Sequence, residues 1–258
     1  MSSQAVKGKV ALVTGGGTGI GFGAARRLAE EGAIVYITGR RLDVLQEAAA
    51  KIGDTVHAVQ ADVSKNEDML RVASFIQAEQ GKLDIIFSNA GYYKVSRLGE
   101  ITEEFFDQMY NTNVKGNLFT VQAMLPLMGE GSSIILTSSM TAFIGLPDYT
   151  SYAATKGAII AMAKCWATDL KARKIRVNVI SPGLVPTEGY EDVQGLSPEQ
   201  VKDFSDRIAA AEIPVGRVGT AEDIGNAVVF LGSDASGFIN AVNLVVDGGQ
   251  TQVYAGKL

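Results

Sequence analysis

Tyr152 and Lys156 stand four residues apart in Ser151-Tyr152-Ala153-Ala154-Thr155-Lys156-Gly157, and Ser139 lies upstream at the end of an apolar run. On a helix, positions i and i+4 project from one face, so a phenol and an ammonium there would be neighbours. An unperturbed tyrosine titrates near about 10 and is almost wholly neutral at physiological pH. A nearby cation favours the phenolate, and lowering the pKa by about three units would take about 4 kcal/mol of differential stabilisation. Such a phenol can give a proton to a carbonyl oxygen or take one from an alcohol. A serine of Thr137-Ser138-Ser139-Met140 can hydrogen-bond the reacting oxygen and steady its negative charge. By chemistry alone Ser138 and Ser139 are equivalent. Tyr149 lies about 10 Å along a helix from Lys156, too far for direct pairing, and is read as lining the pocket.

The segments that must position this group alternate short apolar runs with longer helical stretches, the signature of a parallel sheet covered by helices. Strands are expected at Val10 to Thr14, Ile34 to Thr38, Val56 to Gln60, Ile85 to Ser88, Ser133 to Thr137, Arg176 to Ile180 and Asn243 to Val246. Most are continuously apolar, as strands buried on both faces are. Helices are expected over Ile20 to Glu31, Asp43 to Ile52, Glu67 to Gln80, Glu103 to Leu127, Tyr152 to Lys171 and Glu222 to Leu231. No linker, repeat or composition break divides the chain, so residues 1–258 are read as one α/β domain, doubly wound and Rossmann-like, with helices on both faces. The alternation fails only over about 186–214, where Ser197-Pro198-Glu199-Gln200 carries an N-cap, a proline at N1 and a capping-box glutamine. A capped helix inserted there reads as a lid over the substrate, with a plain surface excursion as the alternative.

The first strand runs into Gly15-Gly16-Gly17-Thr18-Gly19-Ile20-Gly21 and an alanine-rich helix. Glycines at such a junction permit a tight turn and close backbone approach to a pyrophosphate, while the helix start adds N–H donors and a favourable dipole. Gly15, Gly19 and Gly21 are the working glycines, with Gly17, Thr18 and Ile20 completing the loop. An acidic residue about twenty positions on would bind the ribose of NAD. The second strand ends instead in Gly39-Arg40-Arg41. Cations just before a helix are opposed by its dipole, and an adenosine 2′-phosphate would explain them. NADP(H) is therefore favoured over NAD(H), a solvated arginine pair being the alternative. The glycine loop itself offers no basic residue, which leaves the phosphate to Arg40, with Arg41 beside it.

The 258 residues are 47% hydrophobic and 20% charged, ordinary for a globular chain with a large core. A net charge of -5 gives nucleic acid no electrostatic footprint. No apolar run is long enough for a bilayer and no signal-peptide core is visible, so no membrane partner and a cytoplasmic location are expected. Cys165, the only cysteine, is read as a small buried hydrophobe and His57 as structural. No Cys/His cluster suggests a metal.

These stretches together resemble the short-chain dehydrogenases/reductases over nearly the whole chain. The resemblance rests on Thr14-Gly15-x-x-x-Gly19-x-Gly21, Asp62-Val63, Asn89-Ala90-Gly91, Asn113, Ser139, Tyr152-x-x-x-Lys156 and Pro182-Gly183, and extends from Pro214-Val215-Gly216-Arg217 to Val246-Asp247-Gly248-Gly249. Ser88 stands where an asparagine is frequent. The resemblance implies Tyr152 as general acid/base, Lys156 on the nicotinamide ribose lowering the tyrosine pKa, and Ser139 orienting substrate. It implies that Asn113 holds a water relaying protons from Lys156; Asn111 competes for that place. Asp62 would meet the adenine with Val63 at its flank, and Asn89, Ala90 and Gly91 would pass the cofactor. Pro182, Gly183, Val185 and Thr187 would border the nicotinamide. It also implies a homotetramer, to which Phe119, Ala163 and Trp166 could lend apolar surface.

Candidate substrate-pocket residues are Tyr92, Tyr93, Met140, Phe143, Ile144, Tyr149, Val185 and Tyr190. This largely apolar and aromatic set points to a small or medium hydrophobic carbonyl or secondary alcohol, handled by hydride transfer. Two other readings stay open. A 3-oxoacyl-[acyl-carrier-protein] reductase would need a basic docking patch, for which Lys171, Arg173, Lys174 and Arg176 are the candidates. A non-catalytic nicotinamide-nucleotide sensor would be expected to lack part of the Ser-Tyr-Lys set, which is complete here.

Overall fold

Runs such as Val-Ala-Leu-Val-Thr and Ser-Ile-Ile-Leu-Thr become central strands because their alternate side chains have a hydrophobic layer to enter on either side. The computed structural model describes residues 4–187 and 197–253. Its strands are β1 (Val10–Thr14), β2 (Ile34–Gly39), β3 (Val56–Gln60), β4 (Ile85–Ser88), β5 (Ser133–Thr137), β6 (Arg176–Pro182) and β7 (Asn243–Val246). They form one all-parallel sheet in the order β3-β2-β1-β4-β5-β6-β7. Between them run α1 (Gly19–Glu30), α2 (Leu42–Ile52), α3 (Asn66–Gln80), α4 (Glu103–Tyr110), α5 (Gly116–Met124), α6 (Thr150–Asp169), α7 (Pro198–Glu212) and α8 (Ala221–Gly232).

The period-2 alternation of β1 divides the core. Val10 and Leu12 join Met69 and Ile76 of α3, Met124 of α5 and Ile159 and Ala163 of α6 on one face. Ala11 and Val13 join Leu28 of α1, Leu45 of α2 and Val228 of α8 on the other. Sequential connections leave β1 toward β2 and return to β4 on its opposite flank, which opens a crevice at the carboxyl ends of β1 and β4. Thr14 closes its floor: its Oγ1 accepts from the backbone N–H groups of Asn89 and Ala90, both at 2.9 Å.

Edge strand β3 is the exception to strands buried on both faces, and three expectations change. His57 lies exposed on edge strand β3, so this strand is not buried on both faces; the imidazole stacks on Tyr36 at 5.1 Å. Cys165 is exposed, because α6 turns Ile159, Ala163 and Ala167 to the core and Cys165 lies off that face. For the same reason Ala163 is core rather than spare surface, while Phe119 and Trp166 are half-buried. The single helix expected over Glu103 to Leu127 is broken by a π turn at Asn111–Lys115 and ends in a tight turn at Leu125–Leu127 around Pro126. The extra π residue rotates Asn113 into the interior, where it is 0% exposed.

The inserted helix α7 begins as its capping box requires. Ser197 accepts from the Gln200 N–H, and the Gln200 side chain accepts from the Ser197 N–H. Its Val201, Ser205 and Ala209 pack inward, and Phe204 and Ile208 face the crevice from above the strand ends.

Helices α1 and α8 approach most closely at Gly23, which packs on Ala221. A Cβ on Gly23 would fall 2.5 Å from that of Ala221 and 2.7 Å from the Ala221 carbonyl oxygen. Gly23→Ala should therefore cost about 1–3 kcal/mol despite alanine's better helix propensity. Urea unfolding measures it, and a midpoint equal to that of the unsubstituted protein would show that these helices part freely.

Candidate active site

The turn after β1 takes the backbone where only glycine goes easily, with φ of 66° at Gly15 and 53° at Gly19. Gly21 lies behind it: a Cβ there would stand 2.0 Å from the Gly15 carbonyl oxygen, so α1 can start this close only without one. Gly17, Thr18, Gly19 and Ile20 line the crevice, and among the described residues no side chain caps the first turn of α1 at Thr18. The free N–H groups and positive dipole end thus face the cavity, as an anion site requires. Arg40 and Arg41 lie exposed on the rim beyond β2, and neither forms an ion pair among the described residues. Asp62 and Val63 line the same side; Asp62 Oδ1 accepts from the N–H and hydroxyl of Ser64 (3.0 and 2.7 Å). Asn89, Ala90 and Gly91 cross the middle of the crevice, and Pro182, Gly183, Val185 and Thr187 border it from β6 onward.

Ser139 starts the turn that follows β5, its Oγ accepting from Thr141 N–H at 3.2 Å, and it hydrogen-bonds the Tyr152 phenol across from α6. Ser138 is already committed, its hydroxyl donating to the Lys156 carbonyl at 2.8 Å. The structure thereby separates two serines that chemistry alone left equivalent. Lys156 is buried below Tyr152, with Nζ donating to the Thr137 carbonyl (2.9 Å) and standing 5.4 Å from the phenol ring centre.

Burial pushes Tyr152 up to about 12, partly offset by the Ser139 hydrogen bond and reinforced slightly by the Tyr149 phenol. It pulls Lys156 down to about 8. The expected acidic tyrosine is thus not produced by the protein's own groups. The ammonium sits against the ring and a carbonyl instead of against the phenolic oxygen, so desolvation dominates both residues.

Asn113 does not line the crevice. Its Oδ1 accepts from Tyr92 N–H (2.6 Å), and its Nδ2 donates to the Tyr92 carbonyl (2.9 Å) and the Thr155 hydroxyl (3.1 Å). It ties the loop after β4 to α6 beside Lys156. Asn111, the competitor, is exposed at the rim.

The crevice encloses about 1430 Å³. Tyr92, Tyr93, Met140, Ile144 and Tyr149 line it as expected. Phe143 does not: the turn at Met140–Ala142 swings it outward, and it is 48% exposed. Tyr190 lies outside the described residues. The sequence reading missed Leu146, Phe204 and Ile208. The last two were detectable in principle, being one turn apart on an amphipathic helix whose other inward positions are buried.

A parallel sheet with a glycine turn, an uncapped helix start and a serine-bonded tyrosine at its switch point defines a dinucleotide-dependent oxidoreductase. Residues 15–251 match a family described as enoyl-(acyl carrier protein) reductase. The chain is 41% identical to oxidoreductase asL5 of Sarocladium schorii, with 97% of this chain and 98% of the relative covered. It is 36% identical to tetrahydroxynaphthalene reductase PfmaG of Pestalotiopsis fici, over 94% and 91% respectively. A putative short-chain alcohol dehydrogenase from Sinorhizobium meliloti superposes with a TM-score of 0.87 at 34% identity, covering 98% of this chain and all of the other. The protein belongs to the short-chain dehydrogenase/reductase family.

The buried ammonium has a measurable cost. With Lys156 at about 8 when folded against 10.5 when exposed, the unfolded chain binds the extra proton between those pH values. Stability should rise with pH across that window, and the penalty below it is roughly 3 kcal/mol. Lys156→Met should therefore stabilise the fold at neutral pH by up to that amount, less the Thr137 bond, with the gain fading toward pH 10.5. Urea unfolding at several pH values checks this; a pH-independent difference would contradict the burial of a charged amine.

Proposed function

We propose that the protein transfers hydride between NADP(H) and a hydrophobic carbonyl or secondary alcohol, with Tyr152 as the general acid/base. The observation that carries this reading is the Ser139–Tyr152–Lys156 group standing on the crevice that the glycine turn opens. The crevice suits a dinucleotide because only glycine fits at Gly21 and because the amides of the first turn of α1 face it uncapped. When bound, the cofactor supplies a hydride to the carbonyl carbon or accepts one from the alcohol. In reduction the Tyr152 O–H bond breaks as the substrate O–H forms; in oxidation the phenolate takes that proton back. Ser139 donates to the substrate oxygen, and Lys156 holds a positive charge under the phenol that eases loss of its proton. Asn113, fixed between Tyr92 and Thr155, holds α6 in register with the cofactor-side loop.

Arg40 and Arg41 support NADP(H) over NAD(H): both line the rim with their charges uncommitted to any described carboxylate. The pocket's tyrosines, Met140, Ile144, Phe204 and Ile208 support an apolar, largely planar substrate. The similarity to a tetrahydroxynaphthalene reductase points the same way. The acyl-carrier reading is weaker. Arg173 is held by the Leu125 and Met128 carbonyls, Lys174 pairs with Glu130, and Arg176 is buried at the amino end of β6, remote from the crevice. The crevice lining carries Glu103, Glu104, Asp107 and Glu212 beside Lys94, Arg40 and Arg41, a mixed set rather than the basic patch an acidic carrier needs. A homotetramer in the cytoplasm remains our reading; exposed apolar groups beside β7 (Phe238, Val242) and along α4 and α5 (Phe106, Leu118) support the association of subunits.

Tyr152→Phe should abolish ketone-dependent NADPH oxidation while leaving nucleotide binding intact, and unchanged turnover would refute the assignment. Arg40→Asp should weaken NADPH at least roughly tenfold relative to NADH, the worth of one phosphate contact. Equal losses for the two nucleotides would remove the NADP(H) preference.

A further inference from the structure

Three tyrosines converge on one wall of the crevice, and only Tyr152 has a place in the chemistry. Tyr93 comes from the loop after β4, and Tyr149 immediately precedes α6. Their hydroxyl oxygens stand 2.5 Å apart, and their ring centres lie 5.2 and 6.2 Å from that of Tyr152, both edge-on. Both rings line the crevice and are only half-buried. Two polar atoms are therefore kept together on the lining of a pocket that also carries Met140, Ile144 and Leu146.

Resting on the hydride-transfer reading above, we infer that the Tyr93–Tyr149 hydroxyl pair is a second polar station of the substrate site, which selects aromatic ketones bearing a phenolic hydroxyl beyond the reacting carbonyl. A phenol both donates and accepts, so when Tyr93 donates to Tyr149, the Tyr149 hydrogen can be given to a ligand oxygen. When the direction reverses, Tyr149 has given its hydrogen to Tyr93 and can accept from a ligand hydroxyl instead. A phenolic group matches either arrangement, whereas a carboxylate can only accept. The rings of Tyr93 and Tyr149 stand edge-on to Tyr152 and tilted to each other, a cluster against which an aromatic ligand ring can pack face-on or edge-on. The station lies beside the tyrosine that handles the carbonyl, so one rigid bicyclic ligand can reach both.

The consequence is a preference that depends on hydrogen bonding, because a site built to bond a hydroxyl rejects the analogue lacking it. The probes are α-tetralone and its ring-hydroxylated isomers, titrated into the enzyme saturated with oxidised NADP, with turnover followed separately using NADPH. At least one hydroxylated isomer should bind the unsubstituted protein tenfold or more tighter than α-tetralone. In the double variant Tyr93→Phe/Tyr149→Phe, which removes both hydroxyls and leaves neither unpaired, that ratio should fall toward one whatever the absolute affinities. Equal affinities across the series, a ratio unchanged in the double variant, or no binding of any tetralone would each overturn the station. A preference that is present and lost as stated, in a protein that never oxidises NADPH with any tetralone, would keep the station and count against the hydride-transfer reading instead.

Discussion

A lysine ammonium buried beneath a phenol is the constraint on which the site depends. It forces the surrounding structure to compensate, since a lone charge in an apolar layer is expensive. The compensation is modest: the Thr137 carbonyl at the end of β5 accepts one hydrogen bond, and the Tyr152 ring gives its face. The elements around the crevice hold that pair in place. Ser138 anchors the Lys156 carbonyl, Asn113 reaches Thr155 from the π turn, and Ser139 meets the phenol from the far side.

The same burial explains why the protein's groups alone do not give an acidic tyrosine. Desolvation moves Tyr152 up and Lys156 down, so burial opposes the charged form of each, although Lys156 at about 8 still carries its proton at neutral pH. The catalytic reading needs a further positive charge near the phenol, and an oxidised nicotinamide carries one. Acidity would then be a property of the loaded site, and the phenol would stay protonated until the cofactor arrives. In that arrangement cofactor binding and proton transfer are coupled through electrostatics, with no moving part required.

Much of this was legible in the sequence because its signals were local. Continuous apolar runs marked the strands almost to the residue, and Ser197-Pro198-x-Gln200 announced α7 through a capping box that forms as read. The glycine turn was legible because only a residue without a Cβ tolerates that approach. What escaped depended on rotation or on tertiary context. Phe143 looked like pocket until a tight turn swung it outward, and Cys165 looked like core until the face of α6 was known. The π turn that buries Asn113 has no sequence signature, since its backbone angles differ little from a regular helix. The sign of the Tyr152 shift escaped as well, because the i, i+4 spacing shows proximity and says nothing of solvent.

The central claim is that Tyr152 becomes acidic through the combined fields of Lys156 and the oxidised nicotinamide. Ultraviolet difference titration of the tyrosinate band, taken between the protein and its Tyr152→Phe variant, isolates this one phenol. Without nucleotide it should stay protonated through the ordinary tyrosine range near about 10. With oxidised NADP bound, its titration should move below that range, and Lys156→Met should cancel much of the movement. A phenol that titrates at the same pH with and without the nucleotide would contradict the account.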